Sequence, residues 1–105
     1  MSYMIFFSTV PNIEEGKKIA RVLVEQKIAA CVNIIPNAIS IYEWKENIEE
    51  EKELMLIIKT KKENSEILIN KLKEIHSYEI PECIGIEIKE GSKEYLDWIE
   101  QITSV

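Results

Sequence analysis

Residues 29–60, AACVNIIPNAISIYEWKENIEEEKELMLIIKT, decide how this chain folds. Two long β-type runs flank a short polar break. Ile39-Ser40-Ile41-Tyr42-Glu43-Trp44 alternates in the period-two manner of a strand, and Leu54 to Ile58 is a continuous apolar run of the kind found in covered strands. Lys45-Glu46-Asn47 is the break, a tight hairpin turn with Asn47 expected at positive φ. Pro36 has no N–H to give a ladder, so a bulge or bend is expected beside it. The reading is one hairpin with strands from Ala29 to Trp44 and from Ile48 to Thr60.

That hairpin is too long for a free monomer. A domain of 105 residues has a radius of gyration near ~13 Å and a diameter of roughly 30–35 Å. Ala30 to Trp44 alone spans about 50 Å when extended, so the tip must project past its own core. It would carry Tyr42, Trp44 and Ile48 into water, a costly apolar exposure. A homo-oligomer that exchanges hairpins in a closed ring covers the tip and protects the sheet edges.

Outward from the hairpin, Tyr3-Met4-Ile5-Phe6-Phe7 reads as a covered strand ended by Pro11-Asn12. Asn12 and Glu15 form a capping box for a helix with Ile19, Val22 and Leu23 on one side. Gly16 within it either weakens the helix or marks a close backbone approach. Thr60 and Glu63 read as a second capping box, followed by the helical stripe Leu68, Leu72 and Ile75. Ile84, Ile86 and Ile88 alternate with Gly85 and Glu87 as a last strand with one wet face. Ser92 caps a third helix with Tyr95, Ile99 and Ile102 on its buried side. The order β-α-β-β-α-β plus a C-terminal helix is an α+β, ferredoxin-like plan over residues 1–105 as a single domain, with two helices on one face of an antiparallel sheet.

Composition narrows the function. Apolar residues make up 46% and charged residues 30%, which suits a folded globular chain. Thirteen Lys and Arg against 19 Asp and Glu give a net charge of −6, the wrong sign for a nucleic-acid partner. No apolar run approaches the length of a membrane span, so membrane insertion is not expected. The start lacks a basic n-region and an apolar h-region, so a cytoplasmic address is expected, and in that compartment Cys31 and Cys83 read as free thiols rather than a bridge. One Arg, one Asp and one His leave no readable catalytic triad or paired-Asp centre, so catalysis is not expected.

Five separated motifs carry a resemblance. Ala29-Ala30-Cys31-Val32-Asn33, Tyr42-x-Trp44, Leu56-Ile57-Ile58-Lys59-Thr60, His76-x-Tyr78-Glu79-Ile80-Pro81-Glu82 and Tyr95-Leu96-x-Trp98-Ile99 follow one another in an order that resembles the CutA divalent-ion tolerance proteins. The resemblance implies a ferredoxin-like homotrimer, shaped like the PII nitrogen-signalling trimers, with a role in tolerance to copper and other divalent cations. It implies no defined reaction. It places Lys59, His76, Tyr78 and Glu82 on a polar cleft between subunits, with Cu(II) or another divalent cation as the metal ligand or a small molecule in its place. The chain departs from the family pattern at Ser77 (usually Pro), in the turn after Trp44 (usually with Gly), and at Ser8 and Ile75, where some members carry Cys and His.

Residue by residue, the chemistry has bland alternatives. His76 reads either as a surface residue against the last carbonyls of its helix or as a metal ligand from neutral imidazole. Cys31 reads as a small hydrophobe in a strand, and Cys83 as a possible partner of His76 at a spacing that no established metal site uses. Lys59 reads as a snorkelling stem near a sheet edge, or, with Tyr78 and Glu82, as part of a cleft for an anionic or zwitterionic ligand. Tyr42, Trp44, Ile48 and Trp98 read as trimer-interface anchors. Glu49-Glu50-Glu51 reads as a solvated stretch whose alternating carboxylates do not converge.

Overall fold

The computed structural model describes residues 1–104. Four strands, β1 (Tyr3–Val10), β2 (Cys31–Trp44), β3 (Asn47–Lys61) and β4 (Ile84–Ile88), form one sheet in the order β2-β3-β1-β4. Every pairing is antiparallel. Helices α1 (Ile13–Glu25) and α2 (Ser65–Ile75) cover one face, and α3 (Lys93–Ile102) packs on the other face at one end. This is the expected ferredoxin-like architecture.

The principal core lies under α1 and α2, where Phe6, Val10, Leu56 and Ile58 of the sheet meet Ile19, Leu23, Leu68 and Leu72. A second cluster joins Tyr3, Ala30 and Ile99 beneath α3. Asn12 caps α1, its Oδ1 accepting from the Glu15 N–H at 2.8 Å, and Ser92 caps α3 by accepting from the Tyr95 N–H at 3.2 Å. Gly16 marks a close approach, because a Cβ there would stand 3.2 Å from Val10 Cγ2. α1 therefore sits tightly on the end of β1.

Several expectations are corrected. The hairpin turn has only two central residues, Lys45 (φ 50°) and Glu46 (φ 70°), and Asn47 already pairs with Trp44. Two positive φ values in succession follow the strand twist that such turns must match. Thr60 starts no helix. It is buried in β3 and its hydroxyl donates to the Ile28 carbonyl at 2.6 Å, while a 3-10 turn (Lys62–Asn64) leads into α2. Tyr95 is 42% exposed rather than buried with Ile99.

The bulge near Pro36 is present, with the register shifting between Ile35 and Ala38 and Asn37 at φ 67°. Beyond it the hairpin leaves the core behind, giving extents of 44 × 25 × 22 Å and a radius of gyration of 14.3 Å. The last strand also differs from expectation. Gly85 lies under the Phe6 ring on the covered side, and Ile84 (63% exposed) and Ile86 (59%) stand on the uncovered sheet face.

Candidate functional site

Where the hairpin leaves the core, the uncovered face of the sheet becomes polar. Residues two apart on a strand share a face, so Glu49, Glu51 and Glu53 of β3 line up behind Met55 and Ile57. Opposite them on β2 stand Tyr42, paired with Glu49, and Ser40, paired with Glu51. Residues 77–82, between α2 and β4, form the other wall. Together they bound a groove of about 830 Å³, lined by residues that include Thr9, Trp44, Tyr78, Glu79, Ile80 and Glu82. No lysine or arginine is among its lining residues.

Glu53 anchors the groove. It is only 6% exposed, and the Tyr78 hydroxyl donates to its Oε2 at 2.6 Å. Among the described residues no lysine, arginine or histidine pairs with it. Burial, the hydrogen bond to Glu53 and the neighbouring negative charges of Glu53, Glu51 and Glu15 push the Tyr78 phenol well above its ordinary value. The Tyr42 hydroxyl likewise donates to Glu51.

His76 holds this wall in place. Its backbone N–H donates to Leu72 O at 3.0 Å and closes α2. Its ring Nε2 donates to the Thr9 carbonyl at 2.8 Å, and Nδ1 accepts from the Tyr78 N–H at 3.0 Å. A carbonyl can only accept and an amide N–H can only donate, so the ring is the neutral Nε2–H tautomer. Glu15 Oε2 lies 3.4 Å from Nδ1, but that nitrogen carries a lone pair rather than a proton, and the carboxylate instead accepts from the Ser77 N–H at 3.0 Å. The ring also packs on Tyr78, centroid to centroid 4.6 Å. The His76 side chain is 0% exposed, so the residue is neither a surface group nor an open ligand.

The other site residues are scattered. Lys59 lies inside the sheet, not at its edge, between Cys31 on one side and Ile5 on the other, with Nζ 5.7 Å from the Tyr95 ring centroid. Six residues of strand, about 20 Å, separate it from Glu53, so one subunit does not bring Lys59 to Tyr78 and Glu82. Without Lys59 the charged lining of the groove within a subunit is acidic, unlike the cleft for an anionic or zwitterionic ligand that Lys59 was expected to help form. Cys31 is half-exposed beside Lys59, and Cys83 is half-buried against the main core. Burial and the charge of Glu82 push the Cys83 thiol up to about 11. Tyr42, Trp44, Ile48 and Trp98 are all exposed on the single subunit.

These donors do not fit a metal centre within one subunit. Both nitrogens of His76 are in use, Cys83 disfavours its thiolate, and no group of three or more His, Cys, Asp or Glu among the described residues is arranged to hold an ion. Reading the sequence missed Glu53 and the groove it anchors. The signal was present in the spacing Glu49-x-Glu51-x-Glu53, obscured by the contiguous run Glu49-Glu50-Glu51, which reads as a solvated stretch.

Comparison with known proteins agrees with the fold. The family model of the CutA1 divalent ion tolerance protein matches residues 4–102. The mouse protein CutA is 43% identical over 97 residues, covering 92% of this chain but 55% of the mouse protein, so the chain spans little more than half of that relative. The solved structure of a divalent cation tolerance protein from Thermus thermophilus has a TM-score of 0.93 at 40% identity, covering 97% of this chain and 99% of that one. A periplasmic divalent cation tolerance protein from Archaeoglobus fulgidus gives 0.94 at 38% identity, with 97% and 99% covered. By sequence and by fold, the chain belongs to the CutA1 divalent ion tolerance protein family.

Proposed function

We propose that this protein serves divalent-cation tolerance as a homotrimeric binding module, not as an enzyme, with its grooves at the subunit junctions. The apolar sheet face of Ile84 and Ile86 and the projecting tip of Tyr42, Trp44 and Ile48 dock on neighbouring copies, and Trp98 joins the same interface. The groove's polar lining is Tyr78 and Glu82 with Glu53, and Lys59, about 20 Å from Glu53 along β3, stays outside it. The ligand is a small, positively charged molecule rather than a resident Cu(II) or other metal ion. The observation that carries this reading is Glu53, a buried carboxylate with no paired cation among the described residues, at the floor of an acidic groove. A buried charge without a counter-charge is costly, and a cation entering the groove relieves that cost. The aromatic wall adds cation–π attraction for an organic ammonium.

The test is calorimetric titration of the purified protein with Cu(II), Zn(II), a short aliphatic diamine and a short dicarboxylate. Saturable heat with the diamine that Glu53→Gln weakens supports the reading. Binding of the dicarboxylate, or stoichiometric Cu(II) binding that Glu53→Gln leaves intact, overturns it. We keep the cytoplasm as the compartment, and cell fractionation distinguishes it from the periplasmic location given for the Archaeoglobus relative.

A further inference from the structure

We infer that His76 is a positioning residue that shapes the groove, and that its imidazole is not a metal ligand in this chain. The inference rests on the groove reading above, and its argument is geometric. The contact from Nδ1 to the N–H two residues on closes the ring that an asparagine or aspartate side chain closes in an Asx-turn. Nε2 at the same time ties that turn to the Thr9 carbonyl on β1. The turn fixes where Tyr78 leaves the backbone, and the Tyr78 hydroxyl then meets Glu53 at 2.6 Å. Glu15 reinforces the same turn from α1 by accepting from the Ser77 N–H. The His76 side chain thus pins the turn to β1 and Glu15 pins it to α1, with no lone pair of the ring left over for an ion.

The position suits this role in a way the sequence explains. Ser77 lacks the fixed φ that a proline would supply between His76 and Tyr78. The two side-chain bonds of His76 and the one from Glu15 supply the rigidity in its place. Tyr78, Glu79, Ile80 and Glu82 follow directly and form the groove's wall.

Two variants separate positioning from ligation. Asparagine places an amide oxygen near the position of Nδ1 and restores the turn without an imidazole. Alanine restores nothing. A positioning role predicts that His76→Asn retains diamine binding within a few fold of the parent, while His76→Ala loses it. Metal ligation predicts instead that Cu(II) or Zn(II) binds the parent and that both variants abolish that binding equally.

Imidazole nitrogen NMR on the unsubstituted protein removes any dependence on variant folding. The expected spectrum has a protonated Nε2 and a bare Nδ1, unchanged when Zn(II) is added. Loss of the Nε2 proton on adding Zn(II), or an Nδ1–H tautomer before it, overturns the inference. Because the tautomer is measured without any ligand, failure of the diamine proposal leaves this result standing on its own.

Discussion

Deleting one oxygen, in Tyr78→Phe, tests the groove's energetics. The ring and its contact with His76 remain, so the change removes only the hydroxyl that donates to Glu53 at 2.6 Å. Glu53 is 6% exposed, so water does not replace the lost donor freely. Hydrogen bonds to a charged group contribute about 1.5–3 kcal/mol, and that is the expected loss. For a chain of this size it corresponds to a fall in Tm of roughly 6–12 °C. Urea unfolding followed by circular dichroism at one fixed protomer concentration is the assay, since association adds to apparent stability. In a Glu53→Gln background the acceptor is neutral, and the same deletion should cost about 1 kcal/mol. A Tyr78→Phe protein within ~0.5 kcal/mol of the parent would refute the reasoning, because Glu53 would then be solvated rather than held.

Three further outcomes follow from the structure. Gly85→Ala places a Cβ 2.5 Å from Phe6 Cε1 and should destabilise by about 1–3 kcal/mol through overpacking, read by the same urea assay. Thr60→Val keeps the shape but deletes the donor to Ile28 O at 2.6 Å, for a loss of about 0.5–1.5 kcal/mol, since the carbonyl still accepts from Asn64 Nδ2 at 3.1 Å. The Tyr78 phenol titrates above its ordinary 10.0 in the folded chain, so folding favours its protonated form. Its contribution is whole below pH ~10 and is lost as pH rises through the folded value. The urea midpoint should therefore fall more steeply above that pH in the parent than in Tyr78→Phe, and parallel profiles would count against the Tyr78 assignment.

What the sequence made legible was local or periodic. The caps at Asn12 and Ser92 depend on atoms three residues apart, and the bulge depends on a proline that cannot pair. The projecting hairpin came from length alone, and the long axis of 44 Å agrees with it. What stayed hidden depends on distant partners. Thr60 looks like a cap next to Glu63, but Ile28, thirty-two positions earlier, holds it in the sheet. Asn47 looks like the turn residue, yet the pairing of Trp44 with Asn47 pushes the positive φ values onto Lys45 and Glu46. The groove was invisible for the same reason. Tyr78 and Glu53 are 25 positions apart, and the two bonds that commit the His76 ring come from Thr9 and from the turn that follows it.

In the proposed trimer the open sheet face and the hairpin tip are an interface between copies of this chain. Sedimentation equilibrium of the protein and of an Ile86→Glu/Ile48→Glu variant tests it most directly. Ile86 is 59% exposed and Ile48 73% exposed on one subunit, so neither substitution disturbs the core of the fold itself. The expected result is a parent of three times the 12.2 kDa chain mass and a variant that dissociates. A parent that sediments as a 12.2 kDa monomer at micromolar concentration contradicts it.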